Sequence, residues 1–195
     1  MQNVKIVIAD VNHFTAETGD ILTQIAPCYV QKYKEHKIPK DQRQELISGL
    51  LLKQYLGVTR DDEIQYNEHG KPYPASKECC FNLSHSEDCV VLAVADCEVG
   101  VDVEKIMKCH EATVKKVFNE KQKKMLAELC GGERDACFTK IWTECESALK
   151  LKGIGFADGW GDIPVESCQI HTIRWKDYYI SCATQQNAVI ETEII

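Results

Sequence analysis

The stretch Val99-Gly-Val-Asp-Val-Glu104 alternates valines with a glycine and two carboxylates. This period of two predicts a β-strand whose valines face a core, while Asp102 and Glu104 share the opposite face. Two carboxylates on one face repel each other unless a cation lies between them, and oxygen ligands of this kind suit Mg²⁺. The alternative is that they form the solvated face of a half-buried strand, and spacing alone favours that alternative.

Elements follow one another in a similar order on both sides of this strand. Before it, the patterns predict a strand at 4–11, an amphipathic helix from Asp41 to Gly57, and strands at 64–66, 81–85 and 89–95. After it, helices fill roughly 110–152, broken at Gly131-Gly132, and strands are predicted at 167–175, 178–184 and 188–194. A boundary falls near residues 96–98. Because no Gly/Ser-rich or Pro-rich linker separates the two parts, we expect them to pack tightly.

Composition and charge exclude several classes of protein. Of the 195 residues 44% are hydrophobic and 27% charged, so we expect an ordinary globular core. The net charge of −7 argues against broad nucleic-acid binding, which needs a basic surface. No apolar run approaches the roughly 20 residues of a membrane span, and the N-terminus does not resemble a signal peptide. The eleven cysteines are scattered and contain no C-x-x-C, so we expect reduced core thiols in a cytoplasmic protein.

A second pattern lies in Trp142-Thr-Glu-Cys-Glu-Ser-Ala-Leu-Lys150. On a helix, Trp142, Glu146 and Lys150 are spaced by four and form one stripe. Glu146 then offers a third carboxylate, and Lys150 a cation one turn later. The alternative is a surface Glu–Lys pair beside a core tryptophan.

Two shorter motifs lie in the first half of the chain. Phe81-Asn-Leu-Ser-His-Ser86 places hydroxyls and an imidazole at the end of a strand, which suits phosphate binding. A Ser-His-Asp hydrolase is excluded, because adjacent Ser84 and His85 project to opposite faces and there is no nucleophile elbow. Gly70-Lys71-Pro72 fixes the chain beside a lysine that could meet a phosphate. Each motif in isolation is also compatible with a plain polar turn.

Taken together, in this order and spacing, the four motifs resemble those of the 4′-phosphopantetheinyl transferase superfamily, in its larger, monomeric and pseudo-dimeric branch. They run over about residues 40–155. The resemblance implies an α+β fold of two similar halves, residues 1–98 and 99–195, each a small antiparallel sheet with packed helices. It also implies an active site between the halves and a monomeric protein.

The resemblance also implies roles for individual residues. Asp102, Glu104 and Glu146 match the family's Mg²⁺ ligands, and Glu146 also matches its proposed base. Lys150, Lys71, Ser84 and His85 match residues that bind coenzyme A, the co-substrate. The implied reaction transfers 4′-phosphopantetheine to a serine of an apo acyl or peptidyl carrier protein.

The sequence departs from the family pattern at three positions. A lysine of the family is Cys145 here, its helix arginine falls on Gln44, and a glutamate after Phe118 is Gln122. Arg43 is next to Gln44 and is a candidate substitute for the missing arginine. These departures leave open a second hypothesis, in which the chain is a degenerate relative that binds coenzyme A or a carrier protein without efficient transfer. A third hypothesis, which sets the resemblance aside, is a Mg²⁺-dependent phosphohydrolase.

Residues 114–125 form a basic segment with a charge of +4 in an acidic protein. An acidic carrier protein, as the resemblance implies, would be attracted to such a segment. We expect docking on Lys115, Lys116, Lys123 and Lys124, with Phe118, Val117 and Met125 as apolar anchors. The alternative is a solvated lysine-rich helix face.

Overall fold

The structure is a computed structural model that describes residues 2–14, 18–153 and 164–195. Within these residues, the first half contains three α-helices and five strands. The helices are α1 (Thr18–Leu22), α2 (Pro27–Glu35) and α3 (Pro39–Leu56). The strands are β1 (Gln2–Asp10), β2 (Ile64–Tyr66), β3 (Pro72–Pro74), β4 (Cys80–Ser86) and β5 (Cys89–Ala95).

The second half begins with β6 (Val99–Lys105) and continues with three helices, α4 (Glu111–Val117), α5 (Glu120–Ala127) and α6 (Gly131–Lys152). It ends with β7 (Gln169–Trp175), β8 (Tyr178–Thr184) and β9 (Ala188–Ile194). Gly131 and Gly132 begin α6 rather than breaking it. The helical region is interrupted instead at 118–119 and at 128–130.

Two main sheets carry the fold. One has the order β4-β5-β1-β9, the other the order β6-β8-β7, and β2 and β3 form a separate hairpin. The α+β class is therefore confirmed. Neighbouring strands are antiparallel except β1 and β9, which are parallel, with Val4 opposite Ile190. The pseudo-twofold relation between the halves stays a prediction.

The change of sheet falls where the sequence suggested a boundary. Strand β5 ends at Ala95 in the first sheet, and β6 starts at Val99 in the second. The last strand nevertheless returns, because β9 pairs with β1 of the first sheet along its whole length. A division into domains at residue 98 therefore stays a prediction, and the C-terminal strand ties the two sheets together.

Three hydrophobic clusters hold the layers together. One lies between α1–α3 and the first sheet, and a second lies between the two sheets, where Val99, Val101 and Val103 are fully buried. The third joins α4, α5 and α6. The valines of β6 thus face a core, as their alternation predicts, and the opposite face of β6 is covered by α6.

Cysteine burial is uneven. None of the eleven cysteines, all of which lie within the described residues, forms a disulfide. Cys89, Cys145 and Cys182 are buried and Cys130 is exposed, so the prediction of core thiols holds for three of them. Among the helices within the described ranges, none is long and apolar enough to cross a membrane.

Candidate functional site

A seam of side-chain hydrogen bonds joins the two sheets. Asn82, Ser84 and Ser86 alternate along β4 and present oxygens to the backbone of β6. They accept hydrogen bonds from the N–H groups of Val101, Val103 and Lys105 at 2.8, 3.2 and 3.2 Å. Hydroxyls predicted to meet phosphate therefore have a structural role that the sequence did not reveal. Ser84 is buried in this seam.

Helix α6 lies directly on β6 because Gly100 has no side chain. A Cβ at this position would overlap the backbone N of Leu151 and the carbonyl oxygen of Ser147. Gly100, Asp102 and Glu104 share this face of the strand. The close approach therefore brings the two carboxylates toward the stripe on α6 that carries Glu146 and Lys150.

Asp102 is the most buried carboxylate of the group, at 4% exposure. Its Oδ1 accepts hydrogen bonds from Lys150 Nζ at 2.6 Å and from Ser84 Oγ at 2.9 Å. Its Oδ2 is buried and has no hydrogen-bond partner among the described residues. An unsatisfied buried carboxylate oxygen is costly, and the interpretation of Asp102 as part of a solvated strand face is wrong.

Burial makes the ionised forms of Glu104 and Glu146 less favourable. Burial and the nearby charge of Asp102 raise the pKa of Glu146 to about 7. Burial also raises the pKa of Glu104, opposed by hydrogen bonds from Ser86 and Trp142. The Ser86 hydroxyl donates to Glu104 Oε2 at 2.7 Å. A cation bound between these buried carboxylates would reduce their mutual repulsion.

These side chains line one cleft of about 380 Å³ between the halves. It contains six of the residues predicted from the sequence: Ser84, His85, Asp102, Glu104, Glu146 and Lys150. Desolvation, assisted by the positive charge of Lys150, lowers the pKa of His85. The imidazole is therefore mainly neutral at pH 7.

The donor set suits a hard divalent cation, although the carboxylates are not yet arranged as ligands. Asp102 Oδ2 is an unpartnered oxygen, and the three carboxylates of β6 and α6 face one cleft, which is the chemistry that Mg²⁺ prefers. Across the described ranges, however, no group of three or more His, Cys, Asp or Glu side chains could hold a metal as placed. In this conformation the Lys150 ammonium neutralises Asp102 instead.

Lys71 and Arg43 lie elsewhere. Lys71 points away from the carboxylates and donates to Glu98 Oε2 at 2.9 Å, beside a second cavity of about 820 Å³. Arg43 is exposed and is absent from the described residues that line the cleft. The position of the missing arginine is filled by Gln44, which is buried and donates to the carbonyl oxygen of Glu87 at 2.8 Å.

Helices α2 and α3 add cleft residues that the sequence analysis missed. Tyr29, Lys32 and Glu45 line the same cleft as the carboxylates of β6. Lys32 lies 3.8 Å from Glu45 and 4.7 Å from the centre of the Tyr29 ring. The sequence contains one sign of α2, because Pro27 occupies its first turn and proline is favoured at the start of a helix.

Cys145 lies on the side of α6 opposite the cleft. It is 1% exposed, packs in the cluster of α4, α5 and α6, and burial raises the pKa of its thiol to about 12. A lysine at this position would therefore lie in that cluster and not beside the cleft. Gln122 has a structural role, since its Oε1 accepts a hydrogen bond from Asn119 N in the capping box of α5.

We expect Cys145→Lys to lower stability by on the order of 3 kcal/mol without raising activity, because an ammonium would be buried among apolar side chains. Thermal melts and steady-state kinetics measure the two effects. Cys130→Lys is the control, since Cys130 is exposed just before α6. An unchanged melting temperature together with a faster reaction would contradict this placement.

The predicted docking segment is only partly available to a partner. Lys115, Lys116 and Lys124 are exposed, and Lys123 pairs with Glu120 at 2.9 Å. Phe118 is 3% exposed and packs against Phe138, so its prediction as an anchor is wrong. Met125 is 47% exposed and remains available.

Fold and cleft together define a two-sheet α+β protein with an acidic cleft, bordered by ammonium groups, between its halves. Residues 98–193 match the family model of the 4′-phosphopantetheinyl transferase superfamily, so the resemblance found in the sequence is confirmed over the second half of the chain. The match begins immediately before β6 and covers the strand and helix that carry the carboxylates.

Curated relatives extend the similarity beyond this segment. The chain is 28% identical over 142 residues to 4′-phosphopantetheinyl transferase gsp of Aneurinibacillus migulanus, covering 70% of this chain and 60% of the relative. It is 32% identical over 107 residues to 4′-phosphopantetheinyl transferase psf-1 of Bacillus pumilus, and this match covers 54% of this chain and 46% of the relative. It is 30% identical over 125 residues to 4′-phosphopantetheinyl transferase AcpT of Salmonella typhimurium, and this match covers 57% of this chain and 64% of the relative. The matches thus span about half to two thirds of these relatives.

Proposed function

We propose that the chain transfers the 4′-phosphopantetheine group of coenzyme A to a serine of an apo acyl or peptidyl carrier protein. The observation that carries this proposal is the single cleft in which Asp102, Glu104, Glu146 and Lys150 meet Ser84 and His85. The family match and the names of the relatives support the same reaction class.

The reaction is a displacement at phosphorus. The serine Oγ forms a bond to the phosphorus next to pantetheine, and the bond from that phosphorus to the bridging oxygen of the pyrophosphate breaks. Adenosine 3′,5′-bisphosphate leaves with that oxygen, and the serine proton goes to a base. Such a reaction is accelerated chiefly by positioning and by stabilisation of charge.

Glu146 is the residue best placed to accept the serine proton. A pKa raised to about 7 matches a base that works near neutral pH. Lys150 is one helical turn away and provides an ammonium for a phosphate oxygen once it leaves Asp102. His85 and Lys32 line the same cleft, where they can donate hydrogen bonds to further phosphate oxygens.

Asp102, Glu104 and Glu146 would hold a divalent cation, for which Mg²⁺ is the proposed identity. Bound there, the cation would neutralise pyrophosphate charge during transfer. The protein supplies the three carboxylates and keeps them close together through the seam between β4 and β6.

Intact-mass measurement of an apo carrier protein tests the proposal. The carrier is incubated with coenzyme A, Mg²⁺ and this chain, and we expect it to gain the mass of one phosphopantetheine group. Tight coenzyme A binding with no gain of mass would contradict transfer and support a binding-only relative. Release of phosphate from coenzyme A without change in the carrier would support a phosphohydrolase.

A separate prediction concerns the basic segment. We expect combined replacement of Lys115, Lys116, Lys123 and Lys124 by glutamate to raise the KM for carrier protein severalfold, because charge attraction speeds association with an acidic partner. Coenzyme A binding should hardly change. Steady-state kinetics with the carrier protein and calorimetric titration with coenzyme A measure the two affinities.

The control exchanges the same kind of charge on another helix. Lys34 and Lys37 are exposed at and just beyond the end of α2. The pair Lys34→Glu and Lys37→Glu should raise the carrier KM less than the pair Lys115→Glu and Lys116→Glu. Equal effects of the two pairs, or a wild-type KM that does not depend on salt, would count against this segment as the docking surface.

A further inference from the structure

The turn between β2 and β3 reaches across from the first half to the carboxylate-bearing elements of the second. Its shape is set by internal hydrogen bonds. Asn67 N–H donates to the carbonyl oxygen of Lys71 at 3.0 Å, and Lys71 N–H donates to Asn67 Oδ1 at 2.8 Å. Gly70 has a φ of +84°, which favours glycine. The turn therefore holds the side chains of Asn67 and Lys71 in fixed directions.

Each N–H of the Lys71 ammonium has an acceptor. Nζ donates to Glu98 Oε2 at 2.9 Å, to the carbonyl oxygen of Val99 at 3.1 Å and to that of Leu151 at 3.2 Å. The side chain is only 14% exposed. Val99 is the first residue of β6, and Leu151 lies in the last turn of α6. One ammonium thus joins the start of the strand to the end of the helix.

Asn67 makes a second link to the same helix end. Its Nδ2 donates at 3.1 Å to the carbonyl oxygen of Gly153, the residue that ends α6 in a left-handed conformation. The final carbonyls of a helix lack partners within the helix, and a cation close to them is favourable. Asn67 and Lys71, which belong to the first half, therefore donate hydrogen bonds to carbonyl oxygens at the C-terminus of α6.

Resting on the proposed function, we infer that Lys71 and Asn67 are positioning residues that fix the register of α6 against β6. Lys150 precedes Leu151 directly, and Glu146 lies one turn earlier. A shift of the helix end would move both of them relative to Asp102. Misplacement of a reacting group by about 1 Å can cost roughly 100-fold in rate. Lys71 was predicted from its motif to meet a phosphate, but its three acceptors explain its position without one.

Lys71→Met tests this role, with Lys77→Met as the matched control. Lys77 borders the same cavity, is exposed and carries the same charge. For Lys71→Met we expect kcat to fall by roughly 10- to 100-fold, while the KM for coenzyme A changes by less than about twofold because uniform binding is kept. Lys71→Arg should recover much of the loss. Lys77→Met should resemble the wild type.

Two measurements test the inference without an activity assay. Amide hydrogen exchange at residues 149–151 should be faster in Lys71→Met and in Asn67→Ala than in Lys77→Met. Calorimetric titration should give similar coenzyme A affinities for all variants. Unchanged exchange, or an affinity at least about tenfold weaker with kcat preserved, would overturn the positioning role and support a phosphate ligand.

Failure of the proposed function would look different. If the wild-type chain transfers nothing to any carrier protein tested, the proposed reaction fails, whereas hydrogen exchange and titration still decide the role of Lys71. If Lys71→Met does not fold, Asn67→Ala and Lys71→Arg carry the same comparisons, because each changes only part of the link.

Discussion

Glutamine in place of Glu146 is expected to reduce transfer by roughly 100- to 1000-fold and, at pH 8, to make the folded protein more stable. The carboxylate is buried beside Asp102, so its pKa is raised to about 7 from its ordinary value of 4.5. Its charged form therefore costs folding free energy. This penalty is absent below the unfolded pKa and is complete once the pH has risen through the folded pKa.

The size of the effect follows from the pKa shift. Allowing for partial solvent screening, roughly 2 kcal/mol of stability should be gained at pH 8 and almost none at pH 4. For a chain of this length that corresponds to about 4–8 °C in melting temperature. Thermal melts of the wild type and Glu146→Gln at the two pH values, without divalent cations, measure it.

Asp102→Asn is the informative companion. Asp102 accepts hydrogen bonds from Lys150 at 2.6 Å and from Ser84 at 2.9 Å, so removal of its charge deprives the Lys150 ammonium of its salt bridge. We expect this variant to lose activity as well, but without the gain in stability at pH 8. If Glu146→Gln keeps near-normal turnover at saturating Mg²⁺, or is no more stable at pH 8 than the wild type, the role assigned to Glu146 is wrong.

Local patterns were sufficient for most of the secondary structure. The strands predicted at 89–95, 178–184 and 188–194 have the bounds that the structure shows, and Gly57 ends α3 in the left-handed conformation typical of a helix C-cap. Such features depend on neighbouring residues. The stripe of Trp142, Glu146 and Lys150 was predicted for the same reason, since helical spacing fixes which side chains share a face.

Tertiary contacts explain what could not be predicted. The parallel pairing of β9 with β1 joins residues almost a chain length apart, and no local pattern specifies it. Phe118 was predicted to be an exposed anchor, but α4, α5 and α6 bury it in one cluster. The three acceptors of Lys71 lie on different elements, so a motif of three residues gives no sign of them. Motif spacing therefore located the cleft, whereas the roles of individual side chains depended on packing.

Gly100→Ala is expected to be the most damaging single substitution outside the charged residues. The added Cβ would overlap backbone atoms of Ser147 and Leu151, which belong to a long helix and cannot move aside like a flexible side chain. Either α6 moves away from β6 or the strand bends. Overpacking of this kind costs about 3 kcal/mol, which corresponds to roughly 6–12 °C in melting temperature for a chain of this length.

The same displacement should separate the catalytic groups, because α6 carries Glu146 and Lys150 while β6 carries Asp102. We therefore expect Gly100→Ala to lower kcat by at least about 100-fold even below its melting temperature. Gly132→Ala is the matched control, since it lies in the first turn of the same helix with no atom within 4 Å of an added Cβ, and it should be neutral or slightly stabilising. Circular dichroism melts and the carrier-protein assay measure both variants. A Gly100→Ala protein with wild-type melting temperature and turnover would show that close contact between α6 and β6 is not what assembles the cleft.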